Sequence, residues 1–78
     1  MKLKVIGSNQ TEVEIGNKKV LFSYNTPVAY YDLETKQAYK TNKIWSNTTS
    51  KHITAWINSI EVSLVTKLEQ EEFDKLAA

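Results

Sequence analysis

Trp45-Ser46-Asn47-Thr48-Thr49-Ser50-Lys51-His52-Ile53-Thr54-Ala55-Trp56-Ile57-Asn58-Ser59-Ile60, WSNTTSKHITAWINSI, is where the pattern of the chain changes. Ile53, Trp56, Ile57 and Ile60 fall at i, i+3, i+4 and i+7, a spacing that gathers side chains on one face of an α-helix. Lys51, Thr54 and Asn58 fall elsewhere around it. The spacing predicts a helix from Ser50 to about Ser59. Thr48, Thr49 and Ser50 are each suited to cap it, because a hydroxyl there accepts from the otherwise orphaned N–H groups of the first turn.

Everything before this stretch alternates at period two. Leu3 and Val5 are interleaved with Lys2, Lys4 and Ile6, and Val13 and Ile15 with Glu12 and Glu14; Gly7-Ser8-Asn9 and Gly16-Asn17 close the two runs. Alternation bounded by turn formers is the mark of short strands. Val20-Leu21-Phe22-Ser23-Tyr24 returns from the second turn as a hairpin. Asn25-Thr26-Pro27 interrupts the ladder, since proline has no N–H to give it and restricts the residue before it, so a corner or bulge is expected. Val28 to Asp32 and Gln37 to Thr41 read as two more strands across the turn Leu33-Glu34-Thr35-Lys36. Short loops make all five antiparallel.

Beyond the helix, Glu61 to Lys67 can extend the apolar stripe through Leu64 and Leu68, but it also alternates and is rich in β-branched residues; a short strand is the preferred reading. Leu68 to Leu76 restarts helical spacing, with acids in the first turn and Lys75 near the end, as the helix dipole favours. The expected fold is α+β: a small antiparallel sheet of about five strands, an N-terminal meander, packed with a helix after Trp45 and a short C-terminal helix. Residues 1–78 form a single domain, as a length of 78 allows no more.

Composition narrows the function. There is no cysteine, which removes disulfide scaffolds and thiol chemistry and fits a reducing compartment. With a single histidine as well, no metal site and no cofactor are expected. No apolar run is long enough for a membrane span or leader, so the expected location is cytoplasmic. The net charge of +1 conceals an asymmetry: residues 1–52 hold eight Lys against four acids, residues 53–78 two Lys against five. Such a dipole orients encounters with a charged partner. Every basic residue is lysine, which weighs against base-specific recognition by guanidinium forks.

The candidate site is the polar run Trp45, Ser46, Asn47, Thr48, Thr49, Ser50, Lys51 and His52. One cap needs one hydroxyl, and this run has more. Lys51 and His52 near the positive end of the helix dipole would be relieved by an anion bound to free N–H groups, hydroxyls and Lys51. The plainer account is a capped helix start with two side chains in water. Ser46 or Ser50 with His52 and Asp32 mimics a nucleophilic trio, but neither a nucleophile elbow nor an oxyanion loop accompanies it, so no enzymatic use is expected. A second surface is Tyr30, Tyr31, Lys36, Lys40 and Lys43. Adjacent Tyr30 and Tyr31 face opposite sides of their sheet. An exposed one could stack unpaired bases among the lysines or anchor a protein partner, while the plainer account is cross-strand packing.

Ser23-Tyr24-Asn25-Thr26-Pro27-Val28-Ala29, then Lys43 to Ile53 with Trp56, and the tail Glu69 to Leu76 resemble a family of small uncharacterised proteins encoded by bacteriophages and prophages. The pattern SYxTPVA followed by WSxTTSKHIxxW carries the resemblance, which covers most of the chain from about residue 3. It implies a phage accessory protein in the bacterial cytoplasm, and no activity with it. The function expected is non-enzymatic binding of a host or phage macromolecule, protein being the favoured class, as inhibitor or modulator of a host process; nucleic-acid binding through the Lys/Tyr surface and the helix N-terminus is the alternative. Homo-oligomerisation through the same patch is a third use of it.

Overall fold

The computed structural model describes residues 2–7, 9–43, 45–60, 62 and 64–77. Its elements are β1 (Lys2–Gly7), β2 (Gln10–Ile15), β3 (Lys18–Ser23), β4 (Thr26–Asp32), β5 (Gln37–Thr41), α1 (Asn47–Ile60), β6 (Val65–Leu68) and α2 (Gln70–Ala77). The strands form one sheet in chain order from β1 to β6. The first five are antiparallel, the meander that their short turns require. β6 adds a sixth strand parallel to β5, because α1 carries the chain back along the sheet before β6 begins. The alternating segment after α1 is therefore a strand, starting at Val65; Glu61 and Ser63 lie outside the described residues.

Gly16 sits at φ +59° in the two-residue turn between β2 and β3, a conformation glycine adopts without a Cβ clash. The interruption expected near Pro27 is a shift of register: Leu21 pairs with Ala29 but Phe22 with Pro27, so β4 carries an extra residue there. That residue, Val28, is fully buried.

The pairing sorts residues onto two faces. Glu12, Leu21, Ala29, Tyr31 and Lys40 share the face that α1 covers, where Leu21, Val28, Ala29, Ile53 and Trp56 form the core, with Tyr31, Ile57 and Ile60 packed against it. The Trp56 indole N–H donates to Glu12 Oε1 at 2.9 Å, pinning the helix to β2. The opposite face carries Val20, Tyr30 and Tyr39, and α2 lies over β4 with Phe73 fully buried and its ring edge-on to Tyr30, centroids 5.8 Å apart.

The alternation of β1 does not bury its apolar residues: Leu3 and Val5 are 67% and 70% exposed. An eight-residue helix is only about 12 Å long and strands lie about 4.8 Å apart, so α2 spans two or three of the six strands and leaves the β1 end of its face open.

Candidate functional site

The start of α1 is set by Ser46. Its Oγ accepts the Thr49 N–H at 3.1 Å and its carbonyl accepts the Ser50 N–H at 3.0 Å. The helix thus begins at Asn47, three residues before Ser50. Thr48, Thr49 and Ser50 are inside the helix and do not cap it, because Ser46 takes the first free N–H. Lys51 and His52 consequently fall in the second turn, where the dipole has largely decayed. The charge conflict inferred for the helix start is correspondingly small.

What the extra hydroxyls do is visible in the interior. Thr49 is buried and its Oγ1 lies 3.0 Å from Ser23 Oγ, which in turn lies 2.9 Å from His52 Nδ1. Ser46 O–H donates to Thr49 Oγ1 at 3.3 Å. Ser46, Thr49, Ser23 and His52 thus form one continuous chain of side-chain hydrogen bonds from the helix start into the interior. Among the described residues no buried side-chain polar atom is without a partner.

This chain replaces the imagined nucleophilic trio. The serine on His52 is Ser23, neither Ser46 nor Ser50, and it is 2% exposed, shut away from any substrate. Asp32 ends β4, and its carboxylate is occupied there, accepting the Thr35 N–H at 3.1 Å and the Glu34 N–H at 2.9 Å, with Lys18 Nζ at 4.0 Å. The Thr35 hydrogen bond, supported by those of Glu34 and the charge of Lys18 against a smaller burial effect, holds its carboxyl below the usual carboxylate range.

The remaining residues of the run face outward. Asn47, Thr48, Ser50 and Lys51 are exposed, and a shallow groove on α1 is walled by Asn47, Ser50, Lys51, Thr54, Ala55 and Asn58. Trp45 is 42% exposed but held: Lys43 Nζ lies 4.0 Å from its ring centroid, and its indole N–H donates to Gln70 Oε1 at 3.2 Å. Gln70 is itself fixed by donating to the Pro27 carbonyl at 2.7 Å and to Asp74 Oδ1 at 3.1 Å.

Tyr24 was not among the residues singled out, although it sits beside Ser23. It is 51% exposed, at φ +60°, with its N–H on the Asn9 carbonyl and its ring 6.2 Å from that of His52. A tyrosine in the left-handed region stores strain of about 1–2 kcal/mol. The only signal in the sequence is a non-glycine residue in the turn between two strands.

The second surface is not assembled as expected. Tyr30 and Tyr31 do face opposite sides, but each lies under a helix: Tyr31 packs on the α1 core, and Tyr30 stacks on Tyr39 at 4.7 Å and meets Phe73. Burial, then Tyr39, raises the Tyr30 phenol above its ordinary value. Both rings are therefore half-buried, each partly covered by its helix. Lys36 is in the β4–β5 turn, a strand length from Lys43, so it joins no surface with it. Lys40 and Lys43 do come together, along with Lys67 of β6, around one small cavity.

A family model described as Family of unknown function (DUF8033) matches residues 1–75. The chain belongs to that family. The match takes in all eight elements up to Lys75 of α2, and so the whole hydroxyl chain and Trp45. No curated protein and no solved structure matches the chain. Among the described residues, no group of three or more His, Cys, Asp or Glu is placed to hold a metal ion, and no helix is long and apolar enough to cross a membrane.

Proposed function

We propose that this chain is a non-enzymatic binding module, a phage accessory protein acting in the bacterial cytoplasm, that engages a host or phage protein as inhibitor or modulator of a host process. The contact surface is built from Trp45 and the outward residues of α1, with Tyr24 beside His52 as a further exposed ring. The observation that carries this reading is Trp45. A short chain needs its large apolar side chains for the core, yet this ring stays 42% exposed while a cation and a hydrogen bond fix it. A rigid exposed tryptophan suits an interface anchor, since little freedom remains to be lost on binding. A standard interface takes about 800 Å² per partner, about a sixth of the 5116 Å² that the molecule presents.

The test compares capture from host lysate by the wild type, Trp45→Ser and Tyr24→Ser, with and without nuclease, followed by affinity measurements on the purified partner. One protein survives nuclease, and Trp45→Ser weakens it about 30-fold or more, the level of an interface hot spot. Retention that disappears with nuclease and falls steeply with salt would replace this reading by nucleic-acid binding.

A further inference from the structure

Between α1 and the β5–β6 edge lies a cavity of about 160 Å³ lined by Lys40, Lys43, Lys67, Asn42, Ser50 and Thr54, with Thr41 and Ile53 behind them. No acid is in its wall. Lys40 and Lys67 are direct register partners on the adjacent parallel strands, so two ammonium-bearing side chains stand side by side on one face of the sheet. Like charges directly opposite are destabilising. None of the ion pairs among the described residues involves Lys40, Lys43 or Lys67. The opposite face shows the normal solution, where Lys18 is paired across the strands with Asp32. Lys40, by contrast, is half-buried among hydroxyls and an amide.

The geometry points to a binding pocket for the terminal phosphate of a small phosphomonoester, seated between Lys40 and Lys67 and hydrogen-bonded by Ser50, Thr54 and Asn42. Three features select that chemistry. The cavity is well below the roughly 300 Å³ at which whole-ligand pockets begin, so it takes one group and leaves the rest of the molecule outside. Its charges are lysine point charges without the planar fork that matches a carboxylate. Several cations and neutral donors around one space suit a tetrahedral dianion better than the single charge of a phosphodiester. The pocket shares Ser50 and Thr54 with the outward face of α1, and Lys43 with the Trp45 ring, but its seat between Lys40 and Lys67 involves neither Trp45 nor Tyr24, so variants at those two lysines test it apart from the protein-binding reading.

The experiment is an NMR titration of the isotopically labelled full chain at constant ionic strength with inorganic phosphate, a nucleoside 5′-monophosphate and an oligothymidylate, with chloride as the blank. Phosphate and the monophosphate shift the Asn42, Ser50 and Thr54 amides saturably and raise the melting temperature by mass action. Lys40→Gln and Lys67→Gln each weaken this at least tenfold, while Lys36→Gln, a strand length away, does not. Lys67→Gln also raises the melting temperature in chloride alone, by removing the like-charge pair, which shows that the variant is folded. Shifts that chloride reproduces, or that persist in both variants, overturn the proposal as general screening. An oligothymidylate bound tenfold more tightly than phosphate overturns it in favour of a nucleic-acid backbone.

Discussion

Replacing Thr49 by valine keeps the shape of the side chain and removes its hydroxyl, which is the middle link of the chain from Ser46 to His52. Two contacts disappear, the 3.0 Å bond to Ser23 and the 3.3 Å bond from Ser46. Ser46 is exposed and turns its hydroxyl to water. Ser23 is buried and loses one of its two partners, keeping only His52. Each net hydrogen bond contributes about 1 kcal/mol, and the added methyl returns part of that through burial, about 0.8 kcal/mol at most. Valine and threonine differ little in helix propensity, and the Thr49 N–H still donates to Ser46 Oγ, so the cap survives. The expected loss is about 1–2 kcal/mol, which for a domain of this size lowers the melting temperature by about 4–16 °C. Urea unfolding followed by tryptophan fluorescence and circular dichroism measures it. The double-mutant cycle with Ser23→Ala then gives a coupling of about 0.5–1.5 kcal/mol. A Thr49→Val chain within 0.3 kcal/mol of wild type, additive with Ser23→Ala, would refute the hydroxyl chain as a source of stability.

Phe73→Ala, at the one fully buried side chain among the described residues of α2, costs about 3–5 kcal/mol. That is a large part of the total for a domain of this length, about 4–12 kcal/mol. Hydrogen exchange will show α2 released before the sheet; uniform protection across α2 and β4 would contradict this. Tyr24→Gly relieves the strain at φ +60° but frees the unfolded chain, leaving a net gain of about 0.5–1 kcal/mol in urea unfolding; a loss above 1 kcal/mol would mean that the ring's packing on His52 outweighs the strain. Because Asp32 titrates below its unfolded value of about 3.9, its stabilisation is complete above that pH and is lost as pH falls through the folded value. Acid unfolding of Asp32→Asn is therefore shallower below about pH 4, and curves that run parallel to wild type would remove Asp32 from the account.

The sequence was most legible where periodicity alone decides. The Ile53, Trp56, Ile57 and Ile60 stripe and the alternation of β2 to β5 each report a buried face, and the turns carry their own chemistry at Gly16 and Pro27. The helix start was misjudged because Ser46, Thr48, Thr49 and Ser50 are all competent caps, and what separates them is tertiary: Ser23, on a strand in the other half of the chain, claims Thr49 for the interior. Leu3 and Val5 alternate as a buried strand does, and only the length of α2 leaves them uncovered. The cavity was legible by halves. Lys40 and Lys43 were marked as a basic surface, but Lys67 joins them through a parallel register that no local pattern announces.

The order of strands in the sheet is also the order in which they are made. From β1 to β5 each strand pairs with its immediate predecessor, whereas Ala38 meets Val65 only across the whole of α1. Contacts between near neighbours in sequence form fast, and the loop enclosing α1 makes the last pairing the slow one. A chain emerging from the ribosome can zip its meander while α1 is still being synthesised, and the sheet then closes in one late step. In that step Lys67 must approach Lys40 against their mutual repulsion. An anion waiting between the two strands would act there as an assembly aid, speeding the final closure before it serves any bound-state purpose.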